Sequence, residues 1–187
     1  MKHLKMLWVA AIAMASTMAV AAPALATSAT SPAGTTYTGT LKGEGQAFFD
    51  GPFVTIQCTS ILEGVIESHG PSVTGKGKST KWENLNCNYV VESLATGTIE
   101  IHTVSPGVGT ITSTGTEGRV KTSVGDCIYS TNNTDLGTVT DSSITGETAK
   151  IDLSGKIPRT GGNFLCGSSA TLTGSATLTT PDQIFID

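Results

Sequence analysis

After residue 26 no segment keeps a helical spacing of apolar residues; they recur instead at every second position. In "FVTIQC", Val54, Ile56 and Cys58 share one face, with Thr55 and Gln57 on the other. In "GTIEIHTV", Ile99 and Ile101 alternate with Glu100 and His102, and in "TAKIDL", Ala149, Ile151 and Leu153 alternate with Lys150 and Asp152. "ATLTGSATLTT" keeps the same period through threonines, interrupted at Gly174, a candidate bulge. A period of two belongs to half-buried strands, because successive side chains leave opposite faces of an extended chain. Glycine punctuates these runs every few residues, so the strands read as short. The clearest turns are "DGP" at 50–52, "HGP" at 69–71, "SPGVG" at 105–109, "VGD" at 124–126, "STNNTD" at 130–135 and "RTGGN" at 159–163. Threonine on the outward faces keeps strands pleated and soluble without charge. The expected fold is all-β: a single antiparallel β-sandwich or flattened barrel.

The first 26 residues are of another kind. Lys2 and Lys5 precede an uncharged, alanine-rich run that ends in Ala24-Leu25-Ala26, the small-x-small pattern of a secretory signal peptide. Residues 27–35 lack large apolar groups and are expected to be a flexible leader, followed by one all-β domain over 36–187. No later stretch is apolar enough to span a membrane as a helix. The net charge is −4 for the whole chain, and more acidic once Lys2 and Lys5 are removed. An acidic surface without a basic run argues against nucleic acid or an anionic membrane as partner.

Cys58, Cys87, Cys127 and Cys166 make an even set in a chain expected to be exported, which reads as two disulfides. Four cysteines allow three pairings. Sequential pairing keeps each loop local, so Cys58–Cys87 and Cys127–Cys166 are expected. Cys166 follows "GGNFL" and precedes "GSS", so its surroundings are expected to be looser and its bridge the first to reduce. No cysteine pair has zinc-knuckle spacing and no acidic cluster has the spacing of a calcium loop, so no metal or cofactor is expected.

"HGPSVTGKGKSTKW" comes nearest to a nucleotide motif. Gly70 to Gly75-Lys76 has the phosphate-loop gap, but Gly77 stands where the hydroxyl is needed. One frame later Gly77-Lys78-Ser79 ends correctly, but Ser72 replaces the first glycine. The stretch reads as a mobile basic hairpin loop. There is no nucleophile elbow and no catalytic serine-lysine motif. His69 and His102 have no partner motif and read as surface histidines. Trp82, Tyr89 and Tyr129 are the candidate binding residues: on one sheet they would form an aromatic platform for sugar rings.

"FVTIQCTSILEGVIES", "STKWENLNC", "GTIEIHTV" and the closing "CGSSATLTGSATLTTPDQIFID" resemble the small exported bacterial proteins named protein activator of alkane oxidation, the PraB-like family. The resemblance covers roughly 36–187. It implies a secreted or surface-associated β protein, linked by name to growth on hydrocarbons, with no catalytic residue to transfer. Together these features lead to the expectation of a non-enzymatic extracellular protein. It would act in adhesion, in the matrix or in contact with apolar substrates such as alkanes, on cell-surface or matrix components or by self-association. A carbohydrate-binding module is the alternative, and a hydrolase with a non-standard site the third.

Overall fold

In a computed structural model, residues 27–52, 54–70, 73–77, 87–123 and 125–187 are described. The signal peptide expected over 1–26 and the candidate residue Trp82 lie outside them. Nearly every described element is a strand: β1 (Ala29–Thr30), β2 (Gly39–Asp50), β3 (Thr55–Ser68), β4 (Val73–Gly77), β5 (Val90–Ser105), β6 (Val108–Thr122), β7 (Gly125–Ser130), β8 (Thr134–Thr140), β9 (Lys150–Gly162), β10 (Ser169–Thr180) and β11 (Phe185–Ile186). The exceptions are one turn of helix, α1 (Ser142–Thr145), and a 3-10 turn at Phe164–Cys166. Among the described residues no helix is long and apolar enough to cross a membrane.

Of the two expected all-β forms, the barrel is the one that forms. Antiparallel ladders run from β2 through β3, β4 and β5 to β6, then from β9 to β10 and back to β2. The position between β6 and β9 is shared by two strands placed end to end. β7 pairs with the second half of β6, at Glu117–Thr122, and β8 with the first, at Val108–Ser113. The alternation read from sequence sets the inside and the outside. On β9, Leu153, Gly155 and Ile157 are buried while Lys150, Asp152, Ser154 and Lys156 are exposed. The lumen holds one apolar cluster around Ala47, Ile56, Val120, Leu136, Leu153 and Leu172. A second, built on Ala29, Ile66, Ala149, Leu178 and Ile184, fills one end.

Several expectations change. The strands are not short: β5 has 16 residues and β6 has 15. Glycines such as Gly97 and Gly118 lie inside strands rather than between them. Gly174 is no bulge, since β10 keeps its register through it on both sides, opposite Ala47 and Leu153. A side chain there would overlap the Gln46 carbonyl oxygen, so the glycine serves a close approach of β10 to β2. The supposed basic loop contains a strand: β4 pairs with β3 and with β5.

The flexible leader expected over 27–35 is tied down at its start. Thr27 exchanges backbone hydrogen bonds with Gly70, and β1 pairs with β11. Thr27 and Ala29 are buried, because residues 27–30 and 184–187 together cover the filled end of the barrel.

Asp141 holds that cover. Its buried carboxylate accepts hydrogen bonds from the Ser143 N–H (2.8 Å), capping α1, and from the Ile186 N–H (2.8 Å), fixing β11. Asp141→Ala strands both donors, and losing a cap plus a buried acceptor costs about 2–3 kcal/mol. Chemical denaturation should show that loss, and hydrogen exchange should show earlier opening of Ile184–Asp187 than of the barrel ladders.

Both expected disulfides are present, Cys58–Cys87 and Cys127–Cys166. Burial argues for the opposite order of reduction from the one expected. Cys127 and Cys166 are both buried, whereas Cys87 is only half-buried. The segment before Cys166 is held by hydrogen bonds. Asn163 donates to the Asp126 carbonyl (2.8 Å), its side chain accepts from the Leu165 N–H (2.9 Å), and Arg159 donates to the Asn163 carbonyl (2.8 Å).

Candidate functional site

The lumen is the first place to look in a closed barrel. The larger of its two described voids measures about 60 Å³ and is bounded by Phe49, Val91, Leu136, Ile157 and Leu172, with Glu92, Thr116, Glu117 and Thr131 also lining it. A second void of about 30 Å³ lies among Leu41, Ile111, Leu178 and Ile184. Small-molecule pockets measure roughly 300–1,000 Å³. These voids are packing gaps of a filled core, too small for a carrier barrel's cargo.

Three buried or half-buried hydroxyls in the lumen, on Ser113, Thr116 and Thr131, form one hydrogen-bonded chain. Thr116 donates to the Thr96 carbonyl (2.8 Å). The Thr116 oxygen is therefore the acceptor for Ser113 (2.8 Å), and Ser113 in turn accepts from Thr131 (3.0 Å). Thr131 accepts the Thr116 backbone N–H (2.9 Å). With the Thr131 hydroxyl also 3.4 Å from the Thr116 carbonyl, this hydroxyl relay stitches β5 and β6 to the β7–β8 turn.

The histidines are similarly engaged. The Nδ1 of His69 accepts from the Ala29 N–H (3.3 Å) and Nε2–H donates to the Tyr37 carbonyl (2.9 Å), so both ring nitrogens pin backbone. His102 lies on the outer face of β5, as its position in the alternation predicts, 3.3 Å from Glu100.

Of the expected aromatic platform, Tyr89 and Tyr129 can be placed. Tyr89 is half-buried and packs against the main core, and Tyr129 is inside it. The Tyr129 hydroxyl donates to the Cys166 carbonyl (2.9 Å). Tyr129 therefore offers no face to a ligand. Alternation on β7 put it inside; its hydroxyl made a surface position look equally natural in the sequence. Burial raises its pKa, opposed by the nearby positive charge of Arg159. A tyrosine held neutral by folding stabilises fully below the ordinary tyrosine range and loses that contribution as pH rises through its raised value. Tyr129→Phe is expected to cost about 1 kcal/mol at neutral pH and to flatten the alkaline fall in stability, both measured by urea denaturation across pH.

The outer face of β2 and β3 carries the polar groups that do converge. Antiparallel register sets Gln46 opposite Thr59 and Phe48 opposite Gln57, all four outward by the same alternation that buries Ala47, Ile56 and Cys58. Asn88, next to Cys87, lies against this edge. Its side chain accepts from the Gln57 N–H (3.1 Å) and donates to the Thr55 carbonyl (2.9 Å), taking the place of a neighbouring strand. Gln46, Gln57, Cys58, Thr59 and Asn88 line a shallow dish of about 280 Å³. Across β10 the row continues through Ser175, opposite Gln46, and Thr173, opposite Phe48. No sequence motif marks this site, because its members come from separate strands and meet only through register.

No protein-family model matches the sequence, and no curated protein or solved structure matches it.

Proposed function

We propose that this is an exported, non-catalytic β-barrel that works by contact through its outer surface, holding to cell-surface or matrix components. The observation that carries the proposal is the apolar filling of the lumen, whose described voids measure about 60 and 30 Å³ and favour contact through the outer surface. On the described residues of β10, β2 and β3 the outside offers hydroxyl and amide rows, which favours a polar matrix as partner of this face, while the exposed apolar side chains of Val104, Ile144, Phe164 and Leu165 lie elsewhere. Export is supported by the basic and alanine-rich first 26 residues and by the two disulfides, which persist in oxidising compartments. The engaged nitrogens of His69 and the closed hydroxyl relay support a non-enzymatic role.

The test is attachment. Purified disulfide-bonded protein should bind producing cells or their extracted matrix, and cells lacking the gene should attach and build biofilm less well. Unchanged attachment in such cells, together with no binding by the purified protein, would remove this function.

A further inference from the structure

The geometry points to a neutral polysaccharide as the ligand of the β2–β3 dish, an inference that rests on the outer-surface function given above and names what that surface holds.

Four features carry it. The first is the chemistry of the lining. The amides of Gln46 and Gln57 make no hydrogen bond among the described residues, and both side chains are exposed. Each presents an acceptor oxygen beside a donor NH₂. Neighbouring sugar hydroxyls, each both donor and acceptor, match that pairing, and the Thr59 hydroxyl adds a further group of the same kind.

The second is the absence of formal charge. None of the described lining residues is ionisable; of the described acids nearby, Glu44 on β2 is paired with Lys42 at 2.7 Å, and the exposed Asp50 and Asp152 lie one step beyond Phe48 and Ser175. The described lining of the dish itself carries no charge to repay desolvation of a phosphate, a carboxylate or an ammonium group, which favours a neutral chain.

The third is rigidity. Asn88 is fixed by two bonds to the β3 backbone and adjoins the disulfide-bonded Cys87. Gln46 and Gln57 stand on paired strands. Groups already held in place lose little freedom on binding. The fourth is Phe48, half-buried on the same outward face and directly opposite Gln57. Its exposed part offers an apolar surface to the C–H face of a sugar ring, while the amides take the hydroxyl edge. The dish holds only a short stretch of chain, and Thr173 and Ser175 extend the polar row for the rest.

The experiment uses the full exported protein with both disulfides formed, labelled with nitrogen-15. Cellohexaose, maltohexaose and mannohexaose are added in turn, with oligogalacturonate as the acidic arm. At least one neutral hexasaccharide should shift the side-chain NH₂ signals of Gln46, Gln57 and Asn88 to saturation. Gln57→Ala and Phe48→Ala should each weaken that binding about tenfold, a loss of one good contact, and Thr138→Ala on β8 should leave it unchanged. Backbone spectra of the variants show whether the barrel is intact, and Gln46→Ala gives a second exposed position should one variant fold poorly. No shift with any neutral hexasaccharide, shifts confined to residues elsewhere, or shifts with oligogalacturonate alone would each overturn the assignment. Attachment to matrix by wild type and Phe48→Ala alike, without oligosaccharide binding, overturns the ligand class and leaves the outer-surface function standing. Absence of attachment by the wild type overturns that function itself.

Discussion

Replacing Cys127 and Cys166 together by alanine is expected to lower the unfolding free energy by about 3–4 kcal/mol, from the loop-closure entropy returned to the unfolded chain. The bridge spans 39 residues, and a domain of this size has a total stability of only about 5–15 kcal/mol, so the variant should sit near its threshold. The Cys58–Cys87 bridge spans 29 residues and is worth nearly as much by the same argument. The two should differ in access. Because Cys87 is half-buried and the Cys127–Cys166 sulfurs are enclosed, mild reductant should open Cys58–Cys87 first. Urea denaturation of the double-alanine variants measures the first effect, and thiol trapping followed by peptide mapping measures the second. A loss under about 1 kcal/mol would show that the unfolded chain is already constrained without the bridge. Early labelling of Cys127 and Cys166 would show that the 3-10 turn opens more readily than its hydrogen bonds indicate.

Gly174→Val should be more damaging still. The residue sits at φ +153°, where L side chains are rare, and its new Cβ would overlap the Gln46 carbonyl oxygen. Both obstacles are backbone, so no side-chain rotation relieves them. Since β10 is the strand that joins β9 to β2, separating it from β2 opens the barrel. The expected cost exceeds about 4 kcal/mol, the range of single changes that abolish folding in a marginal domain. Gly146→Ala is the matched control. That residue also has positive φ, at +71° after α1, but nothing lies within 4 Å of the added carbon. It should cost only about 1 kcal/mol, the conformational penalty alone. Equal stabilities of the two variants, read by thermal unfolding, would mean that β10 can move away from β2 at little cost.

The same pair of glycines shows why the sequence disclosed some things and withheld others. Period two along "KIDLSGKIP" identifies strand β9 and its buried face without any long-range information, because side-chain direction is a local property of extended backbone. The sequential pairing of the cysteines is likewise a matter of loop length. Glycine is ambiguous: Gly146 ends a helix, whereas Gly174 lies in mid-strand, and the difference is made by a neighbour, Gln46, far away in the chain. That ambiguity broke the long strands β5 and β6 into short ones and made "VTGKG" look like a turn when it is β4. Thr27 looked unattached because its partner, Gly70, is likewise remote. The dish had no local signature at all. Gln46 and Gln57 are two ordinary exposed residues until the β2–β3 register brings them onto one surface with Asn88 beside them.

The ladder that closes the barrel sets Asp50 of β2 against Thr171 of β10, so the first long strand made finds its second neighbour only when the last long one arrives. If the chain is exported as proposed, amino end first, it must keep β2 waiting with one raw edge while β3 to β9 emerge. Exposed edges recruit other chains, and pairings this distant in sequence are slow to form. Vectorial delivery, in which the barrel can zip shut only after β10 has followed β2 across, makes the yield of native protein depend on keeping nascent chains apart. A ribosome that stalled before Ser169 would release a molecule with two sticky margins, on β2 and β9, and no means of joining them.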